Sequence, residues 1–160
     1  MIPPRASLSE GVTNYVTPRG LRLLREEYAA LEAERQRPET DSGDDLERRR
    51  RRVIATRRLS DLSGRIASAE VVEPARQARD KIRFGARVTL ESEGGERAGE
   101  ERRLQIVGVD EADPDHGLVA FVAPLARALL GHTEGEIATL KTAQGEERLR
   151  VLTIEYPESV

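Results

Sequence analysis

The first regular pattern along the chain is helical. Leu21, Leu24, Tyr28 and Leu31 fall at spacings of three, four and three, flanked by Arg25, Glu26, Glu27, Glu32 and Glu34. Such spacing draws one apolar seam along a helix whose other faces are charged. Thr17 offers an N-cap hydroxyl, and Pro18 suits the first helical position, where its missing N–H costs nothing. A second stretch from about Asp45 to Ala69 repeats the pattern with Ala55, Leu59, Leu62, Ile66 and Ala69. Asp44 or Asp45 can cap it, and an acidic first turn suits the helix dipole. Extended backward, this register puts Arg52 and Arg48 on the seam, which is therefore apolar at one end only. Pro38 disturbs the first helix. The segment Thr40–Asp45 reads as a turn, with Gly43 as the reversal point. Two helices joined so closely pack antiparallel. The pattern thus predicts a coiled-coil hairpin over residues 17–74, behind a flexible lead-in of residues 1–16, with a second arm about 35–40 Å long.

Val71-Val72-Glu73-Pro74 ends the helical pattern, and residues 75–81 read as a linker. Beyond it the period changes to two. Candidate strands are Ile82–Glu91, Arg103–Val109, Leu118–Val122, Glu136–Lys141 and Arg148–Tyr156, with hairpin connections at Ser92–Glu101 and Thr142–Glu147. Pro124–Leu130 begins with proline and stops before Gly131, as a short helix should. The expected fold class is α+β: an N-terminal antiparallel helical hairpin and a C-terminal β-rich domain over residues 82–160 with one short helix.

Composition narrows the chemistry. Of 160 residues, 34% are charged and 3% aromatic, which suits a small core with an extended charged element rather than one large core. The absence of cysteine excludes disulfides, thiolate metal sites and a cysteine nucleophile, and with only His116 and His132 a histidine-built zinc site is not expected. No apolar run reaches the length of a membrane span, and the N-terminus has no signal-like apolar stretch, so a cytoplasmic protein is expected. Residues 1–76 carry a net charge of +2 and residues 77–160 a net charge of −5, which suggests two modules with different partners.

Two clusters carry candidate chemistry. Asp41, Asp44, Asp45 and Glu47 gather where the hairpin turns. Carboxylates held away from a core can complete the coordination of a Mg²⁺ owned by another molecule, but aspartates also build turns and cap helices. Next to them, Arg48, Arg49, Arg50, Arg51 and Arg52 encircle the helix. They suit phosphates of a nucleic acid, or a solvated face paired with Asp44, Asp45 and Glu47. In the β-rich part, Asp110–His116 is acidic and reads as a turn between strands. No phosphate loop and no catalytic triad stands out.

Several segments, in order, resemble the bacterial Gre factors (GreA/GreB). They are Thr17-Pro18-Arg19-Gly20-Leu21, Arg37-Pro38-Glu39, Ala69-Glu70-Val71-Val72-Glu73, Phe84-Gly85-Ala86, Ile106-Val107-Gly108 with Asp110-Glu111-Ala112-Asp113, Pro124–Gly131, Lys141–Glu146 and Ile154-Glu155-Tyr156. The resemblance implies an FKBP-like C-terminal domain that docks on bacterial RNA polymerase at the rim of its secondary channel, through Asp113, Pro124 and Arg127. It implies a coiled coil inserted toward the polymerase active site and the 3′ end of the nascent RNA. Two tip acids would help hold a Mg²⁺ shared with the polymerase, which then cleaves its own backtracked transcript. The factor would have no catalytic residues and no cofactor of its own, and would act as a monomer.

Gly43, Asp44 and Glu47 keep the spacing of the resembled tip motif, so Asp44 and Glu47 are the carried-over ligands. The Asn-Ala-x-Tyr that follows in the motif is replaced by Arg48–Arg51. The hairpin is also about two heptads short, which withdraws its tip by about 10 Å, against a Mg²⁺–oxygen distance of about 2.0–2.1 Å. This favours a channel-binding regulator without robust cleavage. A cleavage factor and a regulator of nucleoside diphosphate kinase are the alternatives within the family. Outside it stand a coiled-coil scaffold and, from fold alone, a prolyl isomerase, for which the aromatic content is too low.

Overall fold

The computed structural model describes residues 8–36 and 44–158. Strand β1 (Asn14–Val16) leads into helix α1 (Pro18–Gln36), and helix α2 (Asp45–Ser68) leads into strand β2 (Ala69–Val71). Thr17 caps α1 as its position predicts: the Gly20 N–H donates to Thr17 Oγ1 at 3.0 Å. Leu24, Leu59 and Leu62 are buried along the seam. Strand β1, which leads into α1, meets the end of α2, since Asn14 Nδ2 donates to the Arg65 carbonyl at 3.1 Å and to Ser68 Oγ at 3.2 Å. The helices therefore run antiparallel. Pro38, Asp41 and Gly43 lie outside the described residues.

The base of the hairpin differs from the expectation. Part of the stretch read as a flexible lead-in is strand β1, which pairs in parallel with β2, Asn14 opposite Ala69 and Val16 opposite Val71. Ala69, expected to close the helical seam, instead opens β2. A three-residue strand whose partner lies 55 positions away leaves no periodic signal, whereas its burial is clear: Val16 is 2% exposed and Asn14 3%.

Five strands form the second module: β3 (Arg87–Glu93), β4 (Glu101–Val107), β5 (Leu118–Ala120), β6 (Ile137–Thr142) and β7 (Gly145–Glu155), in the order β5-β4-β3-β7-β6. All neighbours are antiparallel except β4 and β5. Ile82 to Ala86, expected within a strand, instead precedes β3. Helix α3 (Pro124–Leu129) matches the expected short helix, with Ala123 at its N-cap making no side-chain cap bond. Val88, Leu90, Ile106, Leu129 and Val151 are fully buried between the sheet and α3.

Tyr156 ties this module to the residues before β3. Its hydroxyl donates to the Lys81 carbonyl at 2.7 Å and accepts the Arg83 N–H at 2.9 Å. Burial pushes the phenol's pKa above its ordinary value, against the smaller opposing effect of the Arg83 contact. Stability from the neutral phenol is full below the unfolded-state pKa and is lost as pH rises through the raised folded one. Tyr156→Phe is expected to cost about 1–3 kcal/mol at neutral pH by stranding both backbone groups. It should also shrink the alkaline loss of stability. Urea titrations of both proteins at several pH values would check this, and an equal alkaline loss in the variant would count against it.

Candidate functional site

At the far end of the hairpin, Asp44 occupies the N-cap of α2. Its Oδ1 accepts the Leu46 N–H at 3.3 Å, and its carbonyl accepts the Arg48 N–H at 3.1 Å. Asp45 pairs with Arg48 at 3.3 Å, and Glu47 with Arg51 at 3.6 Å, each within one turn of the helix. Asp41, the fourth candidate acid, lies outside the described residues. Arg49, Arg50, Arg51 and Arg52 are exposed and Arg48 is half-buried, so the register that put both Arg48 and Arg52 on the seam fails at Arg52, whose charged side chain stays out in solvent. Around this end the apolar face gives way as well: Leu46, Val53 and Ile54 are 56%, 58% and 53% exposed. By sequence, residues 31–58 hold nine arginines and seven carboxylates. Among the described residues, no group of three or more His, Asp or Glu converges as a metal site.

The three expected docking residues sit far along the chain from this end, around strand β5. Asp113 forms a backbone bridge with Leu118 at the start of β5, and its carboxylate holds His116 Nδ1 at 2.6 Å. Pro124 and Arg127 follow the strand on α3, both exposed.

A third cluster escaped the sequence reading. The loop after β4, Gly108-Val109-Asp110-Glu111, grips the base of the hairpin. Glu111 is buried; its Oε1 accepts the Thr17 hydroxyl at 2.5 Å, and its Oε2 meets Arg19 Nη1 at 2.9 Å. Thr17 Oγ1 thus accepts from Gly20 while donating to Glu111, so one hydroxyl caps α1 and holds the sheet module. Asp110 faces Arg65 of α2 at 3.9 Å, both side chains largely buried. Gly108 lies so close to β1 that a Cβ there would stand 2.5 Å from the Tyr15 carbonyl oxygen. The Tyr15 ring packs against Phe84 and Phe121 with centroids 5.8 and 5.6 Å away. Reading Asp110–His116 as an acidic turn missed this role, because the partners lie more than 90 positions away. The one available signal was charge: an acidic loop in the negative half, and arginines at both helix ends of the positive half.

Comparison with known proteins places the chain by its sequence. Residues 76–156 match the family model described as "Transcription elongation factor, GreA/GreB, C-term". Transcription elongation factor GreB of Neisseria meningitidis serogroup B is 34% identical over 164 residues, spanning 93% of this chain and 98% of that protein. Transcription elongation factor GreA of Alkalilimnicola ehrlichii is 35% identical over 155 residues, spanning 88% and 96%. Among solved structures, GreA factor homolog 1 of Thermus thermophilus aligns over 90% of this chain and 99% of its own, at 23% identity and a TM-score of 0.41. The assignment rests on the sequence matches: they run along nearly the whole length of both relatives, and the chain belongs to the GreA/GreB family of transcription elongation factors.

Proposed function

We propose that this chain docks its sheet module on bacterial RNA polymerase and presents the hairpin end as a cationic probe in the secondary channel, regulating elongation without supplying metal ligands. The carrying observation is the state of the tip acids. Asp44 caps α2 through one carboxylate oxygen, and Asp45 and Glu47 lie beside arginines. Exposed pairs of that kind hold only about 0.3–0.5 kcal/mol each, so pairing alone would not keep a carboxylate from Mg²⁺. Residues 31–58 hold nine arginines against seven carboxylates, a net charge of +2, with five of the arginines consecutive at Arg48–Arg52, and that run favours phosphate. On this reading Asp44, Asp45 and Glu47 serve as capping and charge-balancing groups rather than as ligands of a shared Mg²⁺.

Arm length supports the same reading. The 24 residues of α2 span about 36 Å. Matching the Neisseria relative takes 164 aligned positions while covering 93% of this 160-residue chain, so the alignment opens gaps on this chain's side, and the sequence reading puts the shortening in the arms.

The test uses arrested, backtracked elongation complexes of the cognate polymerase, with RNA length and factor binding read in the same tubes. Binding without RNA shortening above the polymerase's own rate is the expected result. Shortening above that rate would overturn the cationic-probe reading in favour of a cleavage factor. Failure to bind would overturn the docking itself.

A further inference from the structure

The loop between β4 and β5 holds both arms of the hairpin and its first strand at once. Glu111 takes α1 through Thr17 and Arg19, Asp110 faces α2 through Arg65, and Gly108 lies against the backbone of β1. These contacts leave the base of the arm little angular play. The arm amplifies whatever play remains, because a tilt of about 10° at the base of a helix about 36 Å long carries its end about 6 Å. Contacts made by the hairpin end are therefore sensitive to groups that never touch the target.

We infer that Gly108–Glu111 is the joint that sets the direction of the arm relative to the docking module, with Glu111 and Asp110 as positioning residues, one for each helix. The division of labour follows from chemistry. Glu111 is a buried carboxylate with two different partners on one helical turn, a hydroxyl on one oxygen and a guanidinium on the other. Two directed contacts fix both the rotation and the lean of α1. Asp110 and Arg65 stand 3.9 Å apart, too far for a short hydrogen bond but within ion-pair range in a largely buried setting. That contact checks splaying of α2. The rings of Tyr15, on β1, and of Phe84 and Phe121, in the sheet module, pack on one another through apolar faces, so they resist separation without fixing an angle. The inference rests on the proposed polymerase reading only for its functional consequence; the geometry it predicts is a property of the free protein.

The chain has no cysteine, so a pair of introduced cysteines gives clean spin-labelling sites. Ala33→Cys near the end of α1 and Thr139→Cys on β6 are both exposed and lie outside the joint and the arginine run. Double electron–electron resonance between them reads the arm's direction. The variants compared are Glu111→Gln with Asp110→Asn, which keep size and remove charge, and Glu111→Asp, which keeps charge and shortens the reach. The expected result for the neutral pair is a distance distribution at least twice as broad as the parent's, at unchanged helix content. The shortened variant should keep a narrow distribution with a shifted mean. At saturating factor, the neutral pair should lose the effect on elongation at least tenfold while polymerase affinity changes less than threefold. Unchanged distributions in the neutral pair would overturn the inference, whatever happens to melting temperature. A broadened distribution with the elongation effect intact would overturn its functional part. If the parent protein itself leaves elongation unaffected, the distance measurement still decides the joint.

Discussion

Replacing Gly108 with alanine is expected to destabilise the whole molecule by about 1–3 kcal/mol, the range for overfilling a packed interior. The added carbon would stand 2.5 Å from the Tyr15 carbonyl oxygen and 3.5 Å from the Val16 Cα. Both are backbone atoms, so no side chain can swing aside. Relief requires β1 to move, and β1 is tied to β2 in register and to the aromatic cluster through Tyr15. For a chain of this length each kcal/mol shifts the melting temperature by about 2–4 °C. Gly64→Ala supplies the contrast. Gly64 sits within α2 with nothing within 4 Å of an added carbon, so alanine there should stabilise by about 0.8–1 kcal/mol through helix propensity alone. Thermal melts of the two variants should move in opposite directions. A Gly108→Ala protein as stable as the parent would mean that β1 is free to shift, and the tight joint described above would not exist.

The second large effect is expected at the hairpin end. Asp44→Ala is a poor test of metal binding there, because it also removes a helix cap worth about 0.5–2 kcal/mol. Asp44→Asn keeps the cap and removes the charge, and Glu47→Gln does the same for the neighbouring acid. If the end works through its cations, the Asp44→Asn, Glu47→Gln pair should keep the effect on elongation. Arg49→Gln with Arg50→Gln should reduce it at least tenfold. The salt dependence gives a separate readout. Each lost contact with single-stranded phosphate should flatten the slope of log affinity against log salt by about 0.7, so the arginine pair should flatten it by about 1.4. Opposite results, with the acid pair inactive and the arginine pair unaffected, would assign the function to the carboxylates.

These predictions lean on residues of very different legibility. The helices could be read because their signal is local. Thr17, Pro18 and the seam from Leu21 to Leu31 lie within fifteen positions, and the cap and buried face follow from them. The strands of the sheet were visible through alternation, with ends displaced by a few residues where the ladder, rather than the side-chain pattern, decides termination. Ile82 to Ala86 shows the limit. Ile82, Phe84 and Ala86 alternate and are buried, yet the segment turns into the core instead of pairing as a ladder strand. Strand β1 and the Gly108–Glu111 joint were not legible, because each is defined by a partner far away in sequence. The tip residues stood out by composition, and their pairing came as the bland alternative had it: a capping aspartate and acids beside arginines on their own helix.

The parallel pairing of β1 with β2 has a consequence for how such arms change length. It closes the hairpin at its root, with Val16 opposite Val71 and the Val72 N–H donating to the Val16 carbonyl at 2.8 Å. Everything that fixes the root lies within a few turns of that seam: Leu24, Leu59, Leu62 and the joint. Whole heptads can therefore be added or removed beyond Leu31 and before Ala55 in matched pairs without altering the register below. Reach becomes a quantity that insertion and deletion can tune, while direction stays under the separate control of the root. A graft of two heptads, one in each arm, would lengthen this protein's reach by about 10 Å and leave its aim unchanged.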